Sequence, residues 1–350
     1  MKIGFYSPYL DTFGGGERYI LTLASHLSKN NQVDVFWDDV TIKAPLARFL
    51  RIDLTKIDFE KNIFNKKFLS KALTTKKYDL LFILSDGSVP TTLAPRNILH
   101  FQVPFIFPKP SFITKIKLKN YQHVVVNSNF TKKFIDKSFQ VNSKVIYPPV
   151  DIKLAKVSPK EKIILSVGRF SAAQLHPKKQ ETLIDVFKEI SKEAPGWRLI
   201  LIGQAKKEDQ KYLRSLRKQS RGFAIRIKEN VSADGLSQIY AKASIYWHAT
   251  GFGEDEAKNP EKMEHFGIAT VESCASGAVP VVIGKGGQRE IVEDGKNGFL
   301  WSTKTQLFEK TLELIKHPDL MDKLSRAAIS SSTRFSTQKF INDYEKIIFS

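Results

Sequence analysis

Two glutamates eight residues apart, Glu264 and Glu272, frame the segment Glu264-His265-Phe266-Gly267-Ile268-Ala269-Thr270-Val271-Glu272. The glycine ahead of an apolar stretch predicts a helix that begins near Gly267 and ends near Gly277. Glu264 then lies in the loop before the helix and Glu272 on its second turn. The amides of residues 267 to 270 face the space between them, lack acceptors inside the helix and form the positive end of its dipole. That arrangement suits a phosphorylated sugar. One carboxylate can accept from sugar hydroxyls, the amides can hold a phosphate, and the second carboxylate can hold a ribose. Cys274, on the same helix, reads as a small buried side chain.

Cations gather elsewhere in the chain. Ser166-Val167-Gly168-Arg169-Phe170 is followed by His176-Pro177-Lys178-Lys179-Gln180, so a strand ending in Gly-Arg meets a lysine delivered from the start of the next helix. Two fixed cations of this kind suit a diphosphate, which arginine grips with two parallel bonds. Phe13-Gly14-Gly15-Gly16-Glu17-Arg18-Tyr19 opens a helix carrying Tyr19, Ile20, Leu23 and Leu27. It reads either as a phosphate-cradling loop or as a tight turn. Its spacing is not the G-x-G-x-x-G of dinucleotide-binding turns. His100 ends a strand-like run at a sheet's carboxyl edge, where ligands of open α/β sheets bind, although a lone histidine is as readily structural.

These residues sit at or near the ends of apolar, strand-length runs: 3–6, 33–37, 80–84, 97–101, 124–127 and 145–147, then 163–167, 199–203, 225–227, 245–248, 279–283 and 298–301. Helix-length segments separate them. Continuous apolar strands alternating with helices predict parallel sheets covered on both faces, arranged as two doubly wound Rossmann-like α/β domains. Pro148, Pro149 and Pro159 interrupt both periodicities. The boundary is therefore placed near 152, giving an N-terminal domain over 1–152, a C-terminal domain over 153–334 and a closing helix over 335–350 that packs on either one.

The 350 residues carry 55 Lys and Arg against 36 Asp and Glu, a net charge of +19, of which residues 1–150 hold +11. That excess calls for an anionic partner. Residues 59–78, which include Lys66, Lys67, Lys76 and Lys77, and residues 113–120 interleave Phe, Ile and Leu with Lys. The composition reads either as a surface helix on an anionic membrane or as a solvated basic face. No nucleic-acid motif accompanies it, so nucleic acid is not an expected partner. No apolar run reaches the roughly 18 to 20 residues of a membrane span. A lone cysteine and a start that reads as a first strand place the protein in the cytoplasm, with a peripheral position on the membrane face as the extension of the basic reading. The histidines have no metal-ligand spacing, so no metal is expected.

The Gly168-Arg169 turn with Lys178, the segment from Glu264 to Glu272, and the loop Gly284-Lys285-Gly286-Gly287-Gln288-Arg289-Glu290-Ile291-Val292 together resemble the retaining, nucleotide-sugar-dependent glycosyltransferases of family 4. The resemblance implies the GT-B fold, two Rossmann-like domains facing a central cleft, with a nucleotide sugar as substrate and neither cofactor nor metal. It implies that Arg169 and Lys178 hold the donor diphosphate and that Glu264 contacts the transferred sugar. The turn Phe266, Gly267, Ile268, Ala269 and Thr270 would complete the phosphate site, and Glu272 would bind the ribose. Gly14, Gly15 and Gly16 would lie over the phosphates and sugar, with His100 lining the reaction centre. Lys178 is matched ahead of Lys179 because Leu183-Ile184 then falls at the family's spacing.

The chain departs from the family pattern in two places. Acidic residues are inserted over 251–262, a change expected to shape the sugar pocket, and the turn reads Glu264-His265-Phe266-Gly267. That wording is similar to mannosyltransferases that extend lipid-linked oligosaccharides. It implies GDP-mannose as first donor, a UDP-sugar as second, and a glycan or lipid-linked acceptor. A nucleotide-sugar epimerase or sugar phosphorylase on the same architecture, and a non-catalytic basic membrane-binding protein, are the alternatives.

Overall fold

The computed structural model describes residues 1–65, 68–152 and 158–349, with the backbone alone at 68 and 69. Lys66 and Lys67, and most of the expected link after 152, lie outside the described residues. The chain divides into two units, Met1–Pro149 with Thr337–Ser350, and Val150–Ser336.

Among its described residues the first unit holds seven strands: β1 Lys2–Tyr6, β2 Gln32–Phe36, β3 Ile57–Glu60, β4 Leu80–Ser85, β5 Arg96–Phe101, β6 His123–Val126 and β7 Lys144–Val145. They pair in parallel in the order β3-β2-β1-β4-β5-β6-β7. Alternate side chains of β4 serve two separate cores. Leu80, Phe82 and Leu84 pack on one face with Ile3, Tyr19 and Tyr344, whereas Leu81 and Ile83 pack on the other with Phe36 and Phe101. This is why the strand reads as an unbroken apolar run.

The basic stretch 59–78 is not one amphipathic helix. Its start belongs to the edge strand β3, and among the described residues only Phe68–Thr75 is helical. The alternating burial of Ile57-Asp58-Phe59-Glu60 gives no continuous apolar signal, so this strand escaped the sequence reading. The helix Thr337–Ile348 completes the first unit by burying Phe340, Tyr344 and Ile348, each burial contributing about 1.5–3 kcal/mol. Tyr344 also donates to Tyr19 Oη at 2.8 Å, since the Tyr19 hydroxyl hydrogen goes to Ile146 O at 2.9 Å. The crossings between units fall at 149/150 and 336/337 instead of at 152 and 334. Val150 pairs with Ser336 there, and its N–H donates to Phe335 O at 3.1 Å, so both flanking segments start and end together in the second unit.

Among its described residues the second unit has six parallel strands: β8 Glu161–Val167, β9 Arg198–Gly203, β10 Ile225–Glu229, β11 Ala243–His248, β12 Val279–Ile283 and β13 Phe299–Trp301. Their order is β10-β9-β8-β11-β12-β13, so the strand order reverses between β8 and β11. Ligands of doubly wound sheets bind outside the carboxyl ends of the strands at such a switch point. Here those ends are Val167 and His248. The edge is tightly built. A Cβ on Gly203 would lie 2.0 Å from Gly168 O, so only glycine lets β9 close against the turn that carries Arg169.

Candidate active site

Beyond β8 the chain is fastened at two points that bracket Arg169. Gly168 N–H donates to Ile202 O and Phe170 N–H to Gln204 O, both at 2.8 Å, while the Phe170 ring is fully buried. Arg169 therefore emerges at the switch point from a fixed backbone. The loop after it returns Lys178, whose stem lies against Gly168: a Cβ at 168 would sit 2.7 Å from Lys178 Cγ. The helix Gln180–Glu193 then begins, with Lys179 at its start in a left-handed conformation, φ 53°.

The two neighbouring lysines are separated by function of geometry. Lys178 Nζ donates to Glu264 Oε2 at 2.6 Å, whereas Lys179 Nζ donates to Glu254 Oε1 at 3.0 Å. Glu264 is the hub. Its Oε2 also lies 2.9 Å from His248 Nε2, so both bonds fall on one oxygen and Oε1 keeps its lone pairs for another partner. Burial alone would raise the Glu264 carboxyl; Lys178 and the His248 bond outweigh it and hold the group well below the usual carboxylate range. Burial keeps His248 neutral by lowering its pKa. Nε2 is then its protonated nitrogen, donating to Glu264, and Nδ1 is buried without a partner among the described residues. His176 stands close by, its pKa pushed well down by burial and by Lys178, with its ring 5.0 Å from that of His265.

The backbone at Glu264 is held from below by the glycine loop. Gly287 N–H donates to Glu264 O at 2.8 Å, and a Cβ on Gly286 would fall 2.3 Å from the same oxygen. The acidic insertion is drawn into this support. Glu256 accepts from Gly286 N–H at 2.8 Å and pairs with Arg289, and Glu254 bridges Lys179 and Lys262. The Glu254 and Glu256 carboxylates thus brace the loops around the hub, the first engaged by two lysines and the second by an amide and Arg289.

After Gly267, at φ 119°, the helix Ile268–Ala275 begins. Ile268 and Ala269 are partly exposed, and as first-turn residues their amides have no acceptor within the helix. Thr270 differs from its expected place in the anion site. Its amide donates to Gly267 O at 3.0 Å, and its fully buried hydroxyl donates to Gln288 Oε1 at 3.0 Å, which ties the helix start to the residue after the glycine loop. Phe266 is buried, with its ring 5.2 Å from that of Phe335. One turn further on, Glu272 accepts from the Tyr240 hydroxyl at 3.0 Å. The structure thus brings Arg169, Lys178, Glu264, the start of the 268–275 helix and Glu272 onto one carboxyl edge, and adds His248. The sequence held the signal for His248, the last residue of its strand run; the missing fact was which strand lies beside β8.

The other singled-out residues belong to the first unit. Gly14 N–H is already taken by the buried Glu17 carboxylate at 2.8 Å, which also accepts from Thr12 Oγ1, so an internal anion occupies part of the glycine loop. Gly15 and Gly16 open the helix Gly15–Leu27, and the Gly16 Cα hydrogen faces Gln102, whose Oε1 would be 2.9 Å from a Cβ there. His100 does not line an open edge. It is fully buried, stacked on Tyr19 at 4.0 Å between centroids, with Nδ1 3.2 Å from Val125 O. Burial pushes its pKa down to about 3. The ring has no exposed atom in this structure. The alternation of β5 sends His100 under the helix, and Gln102 is the polar residue that follows the strand.

A family model described as glycosyl transferases group 1 matches residues 151–331. The GDP-Man:Man(3)GlcNAc(2)-PP-Dol alpha-1,2-mannosyltransferase of Dictyostelium discoideum is 29% identical over 245 residues, covering 64% of this chain and 46% of that protein. This chain spans about half the length of the mannosyltransferase relatives it matches. An uncharacterized glycosyltransferase of Haemophilus influenzae is 24% identical over 99% of both chains. Among solved structures, HepE of Anabaena in complex with UDP and glucose superposes with a TM-score of 0.74 over 100% of both chains at 20% identity, a likeness of fold. With its second unit spanned by the family model and both units doubly wound, the chain belongs to the glycosyl transferases group 1 and has the GT-B fold.

Proposed function

We propose that this chain is a retaining glycosyltransferase of family 4 type, moving mannose from GDP-mannose to a glycan or lipid-linked acceptor at the cytoplasmic face of a membrane. The observation that carries the reading is the Lys178, Glu264 and His248 cluster at the β8/β11 switch point. Mannose is favoured by the mannosyltransferase relatives and by the Glu264-His265-Phe266-Gly267 turn, whose wording resembles that of such enzymes.

Transfer from a nucleotide sugar needs stabilisation of negative charge on the leaving diphosphate and orientation of an oxocarbenium-like sugar. Arg169, Lys178 and the amides of Ile268 and Ala269 are preorganised donors for the first task, the kind of term that is usually largest in catalysis. With those charges in place no metal is assigned. Glu264, its Oε2 engaged by Lys178 and His248, offers Oε1 to a sugar hydroxyl. It is a positioning group, and no protein nucleophile is assigned: the acceptor hydroxyl attacks from the face that the diphosphate leaves and passes its proton to that phosphate. Glu272, steadied by Tyr240, takes the ribose.

Thermal stabilisation by a panel of nucleotide sugars tests the reading. Stabilisation by GDP-mannose above the UDP-sugars is expected. A UDP preference would remove the mannosyl part, and no response to any nucleotide sugar would remove the donor site.

A further inference from the structure

One stretch of the first unit has an unusual charge pattern. From residue 87 to residue 135 the chain has no Asp or Glu, yet it carries seven Lys and Arg. Within it the chain leaves the carboxyl end of β5, runs through a phenylalanine-rich segment and forms the helix Phe112–Leu118, capped by Ser111 Oγ accepting from Thr114 N–H at 3.2 Å. The segment before the helix is anchored. Phe107 N–H donates to Ser138 Oγ at 3.1 Å, Ser138 Oγ donates to Phe105 O at 2.9 Å, and the Phe107 and Phe139 rings meet edge to face.

The helix is amphipathic in the wrong sense for a soluble surface. Its one buried residue is Leu118, while Phe112, Ile113 and Ile116 are 77%, 65% and 49% exposed. At 3.6 residues per turn these three fall within about 100° of one another, across the axis from Leu118. Lys115 and Lys119 border the stripe on one side and Lys117 on the other. None of these lysines is ion-paired among the described residues, and Lys71, on the neighbouring helix, has its pKa lowered by burial and by Lys117. Like charges held together with no carboxylate between them call for an anion from outside, and protruding aliphatic side chains between them call for hydrocarbon.

We propose that Phe112, Ile113 and Ile116, with Lys115, Lys117 and Lys119, form a docking face for an anionic lipid bilayer. The apolar stripe enters the level of the acyl-chain boundary and the lysines reach back to the headgroup phosphates. Nucleic acid would be matched by the charge alone, and a protein partner by the stripe alone; a bilayer with anionic headgroups satisfies both at once. Because the helix is the next element after β5, joined to it by the anchored segment 102–111, docking brings a lipid-borne molecule towards the carboxyl edge of the first sheet. The proposal does not depend on which donor the second unit binds.

Sedimentation of the full chain with vesicles of phosphatidylglycerol and phosphatidylcholine, against vesicles of phosphatidylcholine alone, tests it without any donor or acceptor. Binding to the anionic vesicles only is expected. Each lysine neutralised by Lys→Gln at 115, 117 and 119 should weaken partitioning about fivefold, the effect of one charge near an anionic surface. The variant Phe112→Ser, Ile113→Ser, Ile116→Ser should also lose binding, with its circular dichroism and melting point unchanged because the three side chains are exposed. Absence of wild-type binding, or full binding by the serine variant, would overturn the proposal. A concentration-dependent dimer in gel filtration that the serine variant abolishes would overturn it in favour of a protein interface.

Discussion

Replacing Lys178 by methionine removes the cation 2.6 Å from Glu264 Oε2 in a pair whose side chains are only 14% and 17% exposed. Stranding one member of a fully buried pair costs about 3–5 kcal/mol. Here His248 still donates to the carboxylate at 2.9 Å and some water reaches it, so a loss of about 2 kcal/mol is expected. Glu264→Gln leaves a flexible ammonium that can turn to solvent, which costs about 1 kcal/mol. If the pair interacts as its geometry requires, the double variant is less destabilised than the sum of the two, with a coupling of about 1–2 kcal/mol. The pH dependence has a definite sign. The folded Glu264 carboxyl lies below its unfolded value, so its stabilising contribution is full above the unfolded pKa and fades as pH falls through the folded one. The penalty for Lys178→Met should therefore be largest near neutral pH and shrink in acid, where the carboxylate is lost in both proteins. Urea denaturation of the four proteins at neutral and acid pH reads this directly. Strict additivity, or a penalty that grows in acid, would refute the claim that Lys178 and Glu264 form a working pair.

Three further substitutions probe the surroundings. His100→Phe keeps the stacked ring and removes the buried Nε2 that has no partner among the described residues; stability within about 1 kcal/mol of wild type and a near-normal transfer rate are expected, and a dead enzyme of normal stability would return His100 to the reaction centre. Tyr240→Phe removes the hydroxyl given to Glu272 and should weaken donor binding about tenfold with little change in kcat, as measured by calorimetry and steady-state rates. Gly286→Ala, at φ 59° with Glu264 O in the way of the new Cβ, should cost at least about 1–2 kcal/mol in backbone strain alone and lower donor affinity as well, which denaturation and donor titration would separate.

Much of this was legible in the sequence, for identifiable reasons. Strands buried on both faces, such as β4 and β12, announce themselves as apolar runs, and the glycine at 267 marks the helix start that carries the amides. What stayed hidden depends on neighbours far along the chain. The family's spacing favours Lys178 over Lys179, but why they differ was not legible, because the distinction lies in Glu264 and Glu254 waiting on different loops. His248 looked like one more isolated histidine until β11 was found beside β8. The stacking of His100 was hidden because residues just inside a strand end still alternate, and its turn in the alternation faces Tyr19. The internal cap of the glycine loop was hidden for a local reason: Glu17, three residues after Gly14, returns to take its amide.

The central claim is transfer of a sugar from a nucleotide donor through the Lys178 and Glu264 edge of the second unit. Its most direct measurement is GDP release from GDP-mannose with and without a lipid-linked acceptor, by the wild type and by Glu264→Gln, with the anomeric configuration of the product read by NMR. Acceptor-dependent release, an α-linked product from the α-linked donor, and a large loss of rate in the variant are expected. A β-linked product, or a variant as fast as the wild type, would contradict it.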